Sequence, residues 1–237
     1  MIYVCSDLHG YPLTAFKELL KSAGFTKNDT LYILGDVIDR RGDGGVEMLS
    51  WIIRQKNVKM IMGNHERMLL ECKGIFDKSR GLRMDDVLAL DDYLYNGGAV
   101  TIETLEKLRE KDSGEFTRIM GYLEKLPCYD ETEVNGRKFV FVHGGLEDFK
   151  SHRRLYDYDG YDLLWSRPEM TDEYFKTKTV ILGHTPTSLY GEEYRGRIII
   201  TPTWINIDTG AAYGEGPALL RLDDMEVFYG EKTYETD

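Results

Sequence analysis

The first seventy residues alternate short apolar runs with segments of helical periodicity. Residues 2–5, 31–34 and 58–62 are aliphatic runs bounded by Gly, Asp or Asn, a pattern typical of buried parallel strands. Between them, apolar residues recur at helical spacing over residues 12–23 and 46–54. The pattern therefore predicts a βαβαβ unit with right-handed crossovers.

The middle of the chain has a different pattern. Residues 67 to about 126 are charged and helical in periodicity, with one break at Asn96-Gly97-Gly98, which predicts a helical insertion without strands. Apolar runs typical of strands return at residues 138–142, 179–182, 204–207, 218–222 and 225–229. The last two runs flank Asp223-Asp224, so we expect them to form a hairpin.

Length and composition limit the fold and the partners. The 237 residues, 42% of them hydrophobic, can bury a core, and we expect one domain over residues 1–237 because no repeat or linker divides the chain. The net charge of −11 disfavours nucleic acids and anionic membranes as partners. An anionic substrate would need local positive charge from metal ions or arginines.

The cysteines and the N-terminus bear on the compartment. Cys5, Cys72 and Cys128 are an odd, widely spaced set, which argues against a disulfide framework or a structural zinc site. The chain opens on a predicted strand with no targeting signal, and no apolar run is long enough to span a bilayer. These features favour a cytoplasmic protein.

Polar motifs stand where five of the predicted strands end. These motifs are SDLHG at 6–10, GDVIDRR at 35–41, GNHE at 63–66, HGG at 143–145 and GHT at 183–185. Ligands of α/β proteins bind beyond the carboxyl ends of the strands, so we expect the five motifs to converge on one site.

The residue types in these motifs point to metal ions. Four of the five histidines lie in them, beside two aspartates and an asparagine; the candidate ligands are Asp7, His9, Asp36, Asn64, His65, His143 and His184. Imidazole and carboxylate groups bind divalent transition metals, and seven ligands exceed what one open centre takes. We therefore expect two divalent ions, and these residue types are compatible with manganese, iron, zinc or a mixed pair. His152 lies outside these motifs, and we expect it to be an ordinary surface residue.

The motif set resembles the serine/threonine phosphoprotein phosphatase family of the calcineurin-like metallophosphoesterases. That family reads Gly-Asp-x-His-Gly, Gly-Asp-x-x-Asp-Arg-Gly and Gly-Asn-His-Asp/Glu, followed by two histidine motifs, and the match covers residues 6 to about 210 in order. Trp165-Ser166-Arg167 and the short chain are most similar to the bacterial and bacteriophage lambda branch. The resemblance implies an α/β fold: a central β-sandwich flanked by helices, with the helical insertion around residues 67–126.

The resemblance also implies a role for each motif residue. Asp7 and His9 would bind the first metal ion, Asp36 would bridge both ions, and Asn64, His143 and His184 would bind the second. Mn²⁺ is the ion we favour, with Fe or Zn as alternatives. A water shared by the two ions would attack phosphorus as hydroxide.

Four further residues would act on the substrate in such an enzyme. By resemblance, His65 is the general acid, oriented by Asp39, and Arg40 and Arg167 bind the phosphate oxygens. For Glu66 and Arg67 we expect capping or surface pairing instead. Two positions depart from the family: Ser6 replaces a Gly, and Arg41 replaces a Gly that would shape the turn beside Arg40.

Three functions are compatible with these motifs. The leading interpretation is a protein serine/threonine phosphatase acting on phosphorylated proteins or peptides, with phosphotyrosine and small phosphoesters as further substrates and a monomer favoured. A dinucleoside polyphosphate hydrolase is the alternative, since it uses the same metal motifs. Its leaving phosphate hardly needs protonation, so the intact Asp39 and His65 pair favours the phosphatase. A non-catalytic phosphoprotein-binding scaffold is a third possibility, disfavoured because every ligand position is filled.

Overall fold

The computed structural model describes residues 1–77, 79 and 81–233, and within them it has two five-stranded sheets and seven α-helices. The strands are β1 (Ile2–Cys5), β2 (Thr30–Ile33), β3 (Val58–Met60), β4 (Tyr129–Val134), β5 (Arg137–Val142), β6 (Lys178–Leu182), β7 (Ile199–Ile200), β8 (Trp204–Asn206), β9 (Ala218–Arg221) and β10 (Glu226–Tyr229). The helices are α1 (Leu13–Ser22), α2 (Val46–Ile52), α3 (Asn64–Glu71), α4 (Met84–Tyr95), α5 (Ala99–Lys111), α6 (Ser113–Leu123) and α7 (Gly160–Leu164).

The first sheet has the strand order β10-β9-β1-β2-β3. Strands β1, β2 and β3 are parallel neighbours joined through α1 and α2, which confirms the βαβαβ unit predicted from the apolar runs. Strands β9 and β10 pair in antiparallel fashion around Asp223-Asp224, so the predicted hairpin is also confirmed. It extends the sheet beyond β1.

The second sheet has the order β4-β5-β6-β8-β7. Its central strands β5, β6 and β8 are parallel and were predicted, whereas β4 and β7 pair in antiparallel fashion at the two edges and were not. The sequence of β4, YDETEV, is polar because most of its positions are only partly covered. Edge strands of this kind carry little apolar signal.

An apolar layer joins the two sheets face to face. Val4 and Tyr32 of the first sheet meet Phe141 and Ile181 of the second in one buried cluster, as expected for a β-sandwich. Helices α1 and α2 cover the outer face of the first sheet, packing residues such as Phe16. This central β-sandwich flanked by helices is the α/β architecture that the resemblance implied.

Between β3 and β4 the described chain is helical, which confirms the predicted insertion. Helix α5 packs against α6, and both contact α2 beneath the first sheet. Tyr93 of α4 and Leu105 of α5 are fully buried in the cluster that α1 and α2 also form. Across residues 1–77, 79 and 81–233, no helix has the length and apolarity that a membrane crossing requires.

The sandwich core predicts the cost of removing a side chain from it. Ile181 is 0% exposed between the sheets, whereas Ile200 in edge strand β7 is 60% exposed. We expect Ile181→Ala to lower the free energy of unfolding by about 2–5 kcal/mol, because it removes buried methyl groups and leaves a cavity. Ile200→Ala is the matched control and should change it little. Urea unfolding of both variants measures this, and equal losses would contradict the packing described.

Candidate active site

The five motifs meet at one edge of the sandwich, at the carboxyl ends of strands from both sheets. Strands β1, β2 and β3 bring the first three motifs, and β5 and β6 of the other sheet bring His143 and His184. Two motif glycines allow the close approach: a Cβ on Gly35 would lie 2.5 Å from the Cα of Gly63. Backbones at this distance leave no room for a side chain.

Many of the predicted site residues hold a left-handed backbone. Within the described chain, nine residues other than glycine have positive φ, and six of them were predicted from the motifs: Asp7, His9, Asp36, Asp39, Arg40 and His184. This conformation is unfavourable for L residues and persists only where the surrounding structure enforces it. The strain therefore concentrates at the converging loops.

The structure brings all six predicted metal ligands together and buries them. The Asp36 carboxylate is central: its Oδ2 lies 3.3 Å from His143 Nε2 and 3.5 Å from His9 Nε2. Asn64 Oδ1 lies 2.8 Å from both His143 Nε2 and His184 Nδ1. Asp7 accepts the backbone N–H of His184 and lies 3.9 Å from His9.

The donor set fits two metal ions. Two groups of buried side chains, His9 with Asp36 and His65, and Asp36 with His143 and His184, each place their ligand atoms within 4.8 Å of one another. Asp36 belongs to both groups, as a bridging ligand would. Moreover, His184 Nε2 is buried without a hydrogen-bond partner, which suits a nitrogen that binds a metal ion.

The buried carboxylates of the cluster also favour the binding of cations. Burial raises the pKa of Asp7 to about 6, and burial together with Asp7 holds the pKa of Asp208 well above its usual range. Burial disfavours the charged form of His143, but Asp36 outweighs it and raises the pKa of His143 to about 10. Buried carboxylates this close repel one another, and divalent ions would relieve that repulsion.

Glu66 holds the loop that carries Asp36. Its buried carboxylate accepts the backbone N–H groups of Asp36 at 2.8 Å and Val37 at 2.9 Å, as well as that of Gly63 at 3.1 Å. The expected cap at the start of α3 is therefore present, but Glu66 is buried instead of lying at the surface. Arg67 does pair at the surface, with Glu71 at 2.7 Å.

Asp39 connects His65 to the helical insertion. Asp39 Oδ2 lies 2.6 Å from His65 Nδ1, and its Oδ1 accepts the hydroxyls of Tyr93 in α4 and Thr101 in α5. Burial disfavours the charged imidazole, but Asp36 and Asp39 outweigh it and raise the pKa of His65. Asp39 thus both orients His65 and anchors two helices.

Both predicted arginines stand exposed at the mouth of a cavity of about 120 Å³, which is also lined by four of the six predicted ligands: His9, Asp36, Asn64 and His184. Arg40 Nη2 lies 3.3 Å from His65 Nε2, and Arg167 Nη1 donates to Thr185 Oγ1 at 3.1 Å. Arg41 itself does not have a positive φ, and the left-handed residues of this turn are Asp39, Arg40 and Gly42. His152 is exposed and lies outside the cavity lining, as expected.

One acidic residue of the site was missed in the sequence. Asp208 is buried, lines the cavity, and accepts the Gly210 N–H at 3.0 Å through its carboxylate. It follows β8 in the segment NIDTG, so it has the same strand-end position and the same Asp and Gly composition as the motifs that were recognised. That signal was sufficient to find it.

The chain belongs to the calcineurin-like phosphoesterases, because the model of that family matches residues 1–227. Enzymes of this family use a binuclear metal centre, in agreement with the two overlapping His and Asp groups described above. The chain is therefore a metal-binding hydrolase, whose substrate is a separate question.

Comparison with individual proteins corrects the predicted substrate. The chain is 36% identical to the symmetrical bis(5'-nucleosyl)-tetraphosphatase of Chromobacterium violaceum, over 96% of this chain and 94% of that protein. Serine/threonine-protein phosphatase 1 of Salmonella typhimurium is 23% identical, over 93% and 91%. A solved structure of a proposed diadenosine tetraphosphatase shares the fold, with a TM-score of 0.65 and 16% identity over 99% and 94% of the two chains.

The prediction of a protein serine/threonine phosphatase is therefore wrong, and the relatives favour the alternative. That prediction relied on the intact Asp39 and His65 pair as a sign of monoester chemistry. In the structure, Asp39 also accepts hydroxyls from Tyr93 and Thr101. Its presence is explained by the anchoring of the insertion and says little about the leaving group.

The position of His184 predicts the metal content of the protein. Because its Nε2 is buried without a partner, we expect His184→Ala to reduce the bound Mn²⁺ from two ions to one or fewer per chain. His152→Ala, at an exposed position, is the matched control and should keep the full content. Elemental analysis after dialysis against Mn²⁺ measures this. Two ions retained in His184→Ala would remove His184 from the ligand set.

The contacts of Glu66 predict its effect on folding. Glu66→Gln places an amide NH₂ among backbone N–H donors, so we expect the free energy of unfolding to fall by about 1–3 kcal/mol. Glu71→Gln, an exposed change in the same helix, should have little effect. Urea unfolding of both in the presence of a chelator separates this loss from metal binding. Equal stability of the two variants would show that Glu66 does not hold the loop.

Proposed function

We propose that the chain hydrolyses dinucleoside polyphosphates and cuts diadenosine tetraphosphate symmetrically into two molecules of ADP. The observation that carries this proposal is the 36% identity to a symmetrical bis(5'-nucleosyl)-tetraphosphatase over nearly the full length of both chains. The charge of the cavity suits an anionic polyphosphate, because two arginines stand at its mouth although the chain as a whole is strongly acidic.

The proposed reaction uses two divalent ions, with Mn²⁺ as the first choice. The ligands we assign are Asp7, His9, Asp36, Asn64, His143 and His184, as predicted from the motifs. When bound, such a pair of ions polarises a phosphate group and lowers the pKa of a water molecule beside it. Asp36 would contact both ions, because it belongs to both candidate groups.

The remaining residues bind the polyphosphate and donate a proton to the leaving group. Arg40 and Arg167 offer guanidinium groups whose paired N–H donors suit phosphate oxygens. His65 turns Nδ1 to Asp39, which leaves Nε2 facing the cavity beside Arg40. Water attacks one of the two central phosphorus atoms and releases a proton to solvent, while the bond from that phosphorus to the oxygen between the two central phosphorus atoms breaks. ADP departs with that oxygen, and His65 Nε2 supplies a proton to it when it needs one.

The test compares substrates and products directly. Protein stripped with a chelator and reloaded with Mn²⁺ should release only ADP from diadenosine tetraphosphate, with a higher kcat/KM than for a phosphothreonine peptide. Arg167→Leu should lower kcat/KM for the dinucleotide by about 10- to 100-fold, because a charged hydrogen bond to phosphate is lost. Arg154→Leu, an exposed arginine paired with Asp157, is the control.

Two results would contradict the proposal. Formation of ATP and AMP in place of ADP would mean that the cut is not symmetrical. A higher kcat/KM for the phosphopeptide than for the dinucleotide would mean that dinucleoside polyphosphates are not the preferred substrates.

A further inference from the structure

An exposed tyrosine stands at the mouth of the active-site cavity. Tyr213 ends the short 3₁₀ turn Ala211–Tyr213 after β8, and its exposed fraction is 61%. It lines the cavity together with Trp165 and Arg167. A large aromatic ring left open beside a polar cavity is a surface that a flat apolar group can cover.

Arg40 connects this ring to the metal-binding cluster. Its Nη1 donates to the Tyr213 hydroxyl at 3.0 Å, while its Nη2 lies 3.3 Å from His65 Nε2. The guanidinium carbon lies 5.6 Å from the centroid of the Tyr213 ring. A phosphate chain that leaves the cluster along Arg40 therefore arrives at the Tyr213 ring.

The turn that carries Tyr213 is held from outside the cavity. Arg41 donates to the carbonyl of Ala211 at 3.0 Å and to the Thr233 hydroxyl at 2.7 Å. The Thr233 N–H donates in turn to the Gly214 carbonyl at 2.9 Å. Arg41, the residue that replaces the motif glycine, thus ties the turn to the end of the described chain. A ring fixed before binding loses little freedom when a ligand stacks on it.

We propose that Tyr213 is a specificity-determining residue that stacks against one nucleobase of a dinucleoside polyphosphate. The inference rests on the proposed function and names the group that reads the nucleoside end of the substrate. Stacking on an aromatic face tolerates every base. Tyr213 therefore distinguishes nucleotides from phosphate chains without bases, and it treats adenine and guanine dinucleotides alike.

The experiment compares ligands with and without bases. For each variant we would measure the KM for diadenosine tetraphosphate and the inhibition constant of inorganic tetraphosphate, which has the phosphate chain alone. Tyr213→Leu should raise the KM relative to that inhibition constant by about 10-fold, because one stacking contact is lost. Tyr213→Phe keeps the ring and should keep the ratio. Tyr156→Leu is the matched control, since Tyr156 is also 61% exposed and also lies against an arginine.

The outcomes separate this inference from the proposed function. If the wild type cleaves the dinucleotide symmetrically but Tyr213→Leu keeps the ratio, stacking is wrong and the proposed function stands. If Tyr213→Phe raises the ratio of KM to inhibition constant as much as Tyr213→Leu does, the hydrogen bond from Arg40 to the Tyr213 hydroxyl matters and the ring does not. That result also overturns stacking. If the wild type prefers a phosphopeptide, the proposed function fails and this inference fails with it.

Discussion

The site depends on one buried carboxylate, that of Asp36. Its Oδ1 accepts the backbone N–H of His65 at 3.0 Å, and its Oδ2 faces histidines from both sheets. Burial alone would neutralise such a group, but the surrounding imidazoles, His143 first, hold the pKa of Asp36 well below its usual range. The sandwich therefore has to bring two sheets within a few ångströms of this carboxylate. Gly183 after β6 allows this approach, because a Cβ there would overlap the carboxylate of Asp7 from the first sheet.

The helical insertion contributes to the site through Asp39. Its carboxylate accepts hydroxyls from α4 and α5 and lies 2.6 Å from the His65 imidazole. The insertion thus fixes the orientation of a side chain in a cluster to which it contributes no predicted ligand. A change in the packing of α4 or α5 would therefore reach the His65 imidazole through Asp39. Because Asp39 both anchors the insertion and orients His65, the presence of the Asp39 and His65 pair was a poor guide to the substrate.

Much of the fold and the cluster could be predicted, because strands, motif glycines and ligand types all leave local patterns. The partly covered edge strand β4 and the two-residue β7 left almost none. The burial of Glu66 could not be read locally either, because its partners lie about thirty residues away in the loop after β2. Asp208 was different: its strand-end pattern was present in the sequence and was not used.

The substrate was the part that the motifs could not decide. The metal ligands and arginines act on a phosphate group, and every phosphoester or phosphoanhydride contains that group. Selection must come from the rim, where Arg40 bonds to Tyr213 and where Trp165 packs on the ring of His184. Arg40 and Tyr213 lie 173 positions apart in the sequence, and Tyr213 belongs to none of the motifs. A rim of this kind selects by what is attached to the phosphate, so one metal cluster can serve different substrates in different relatives.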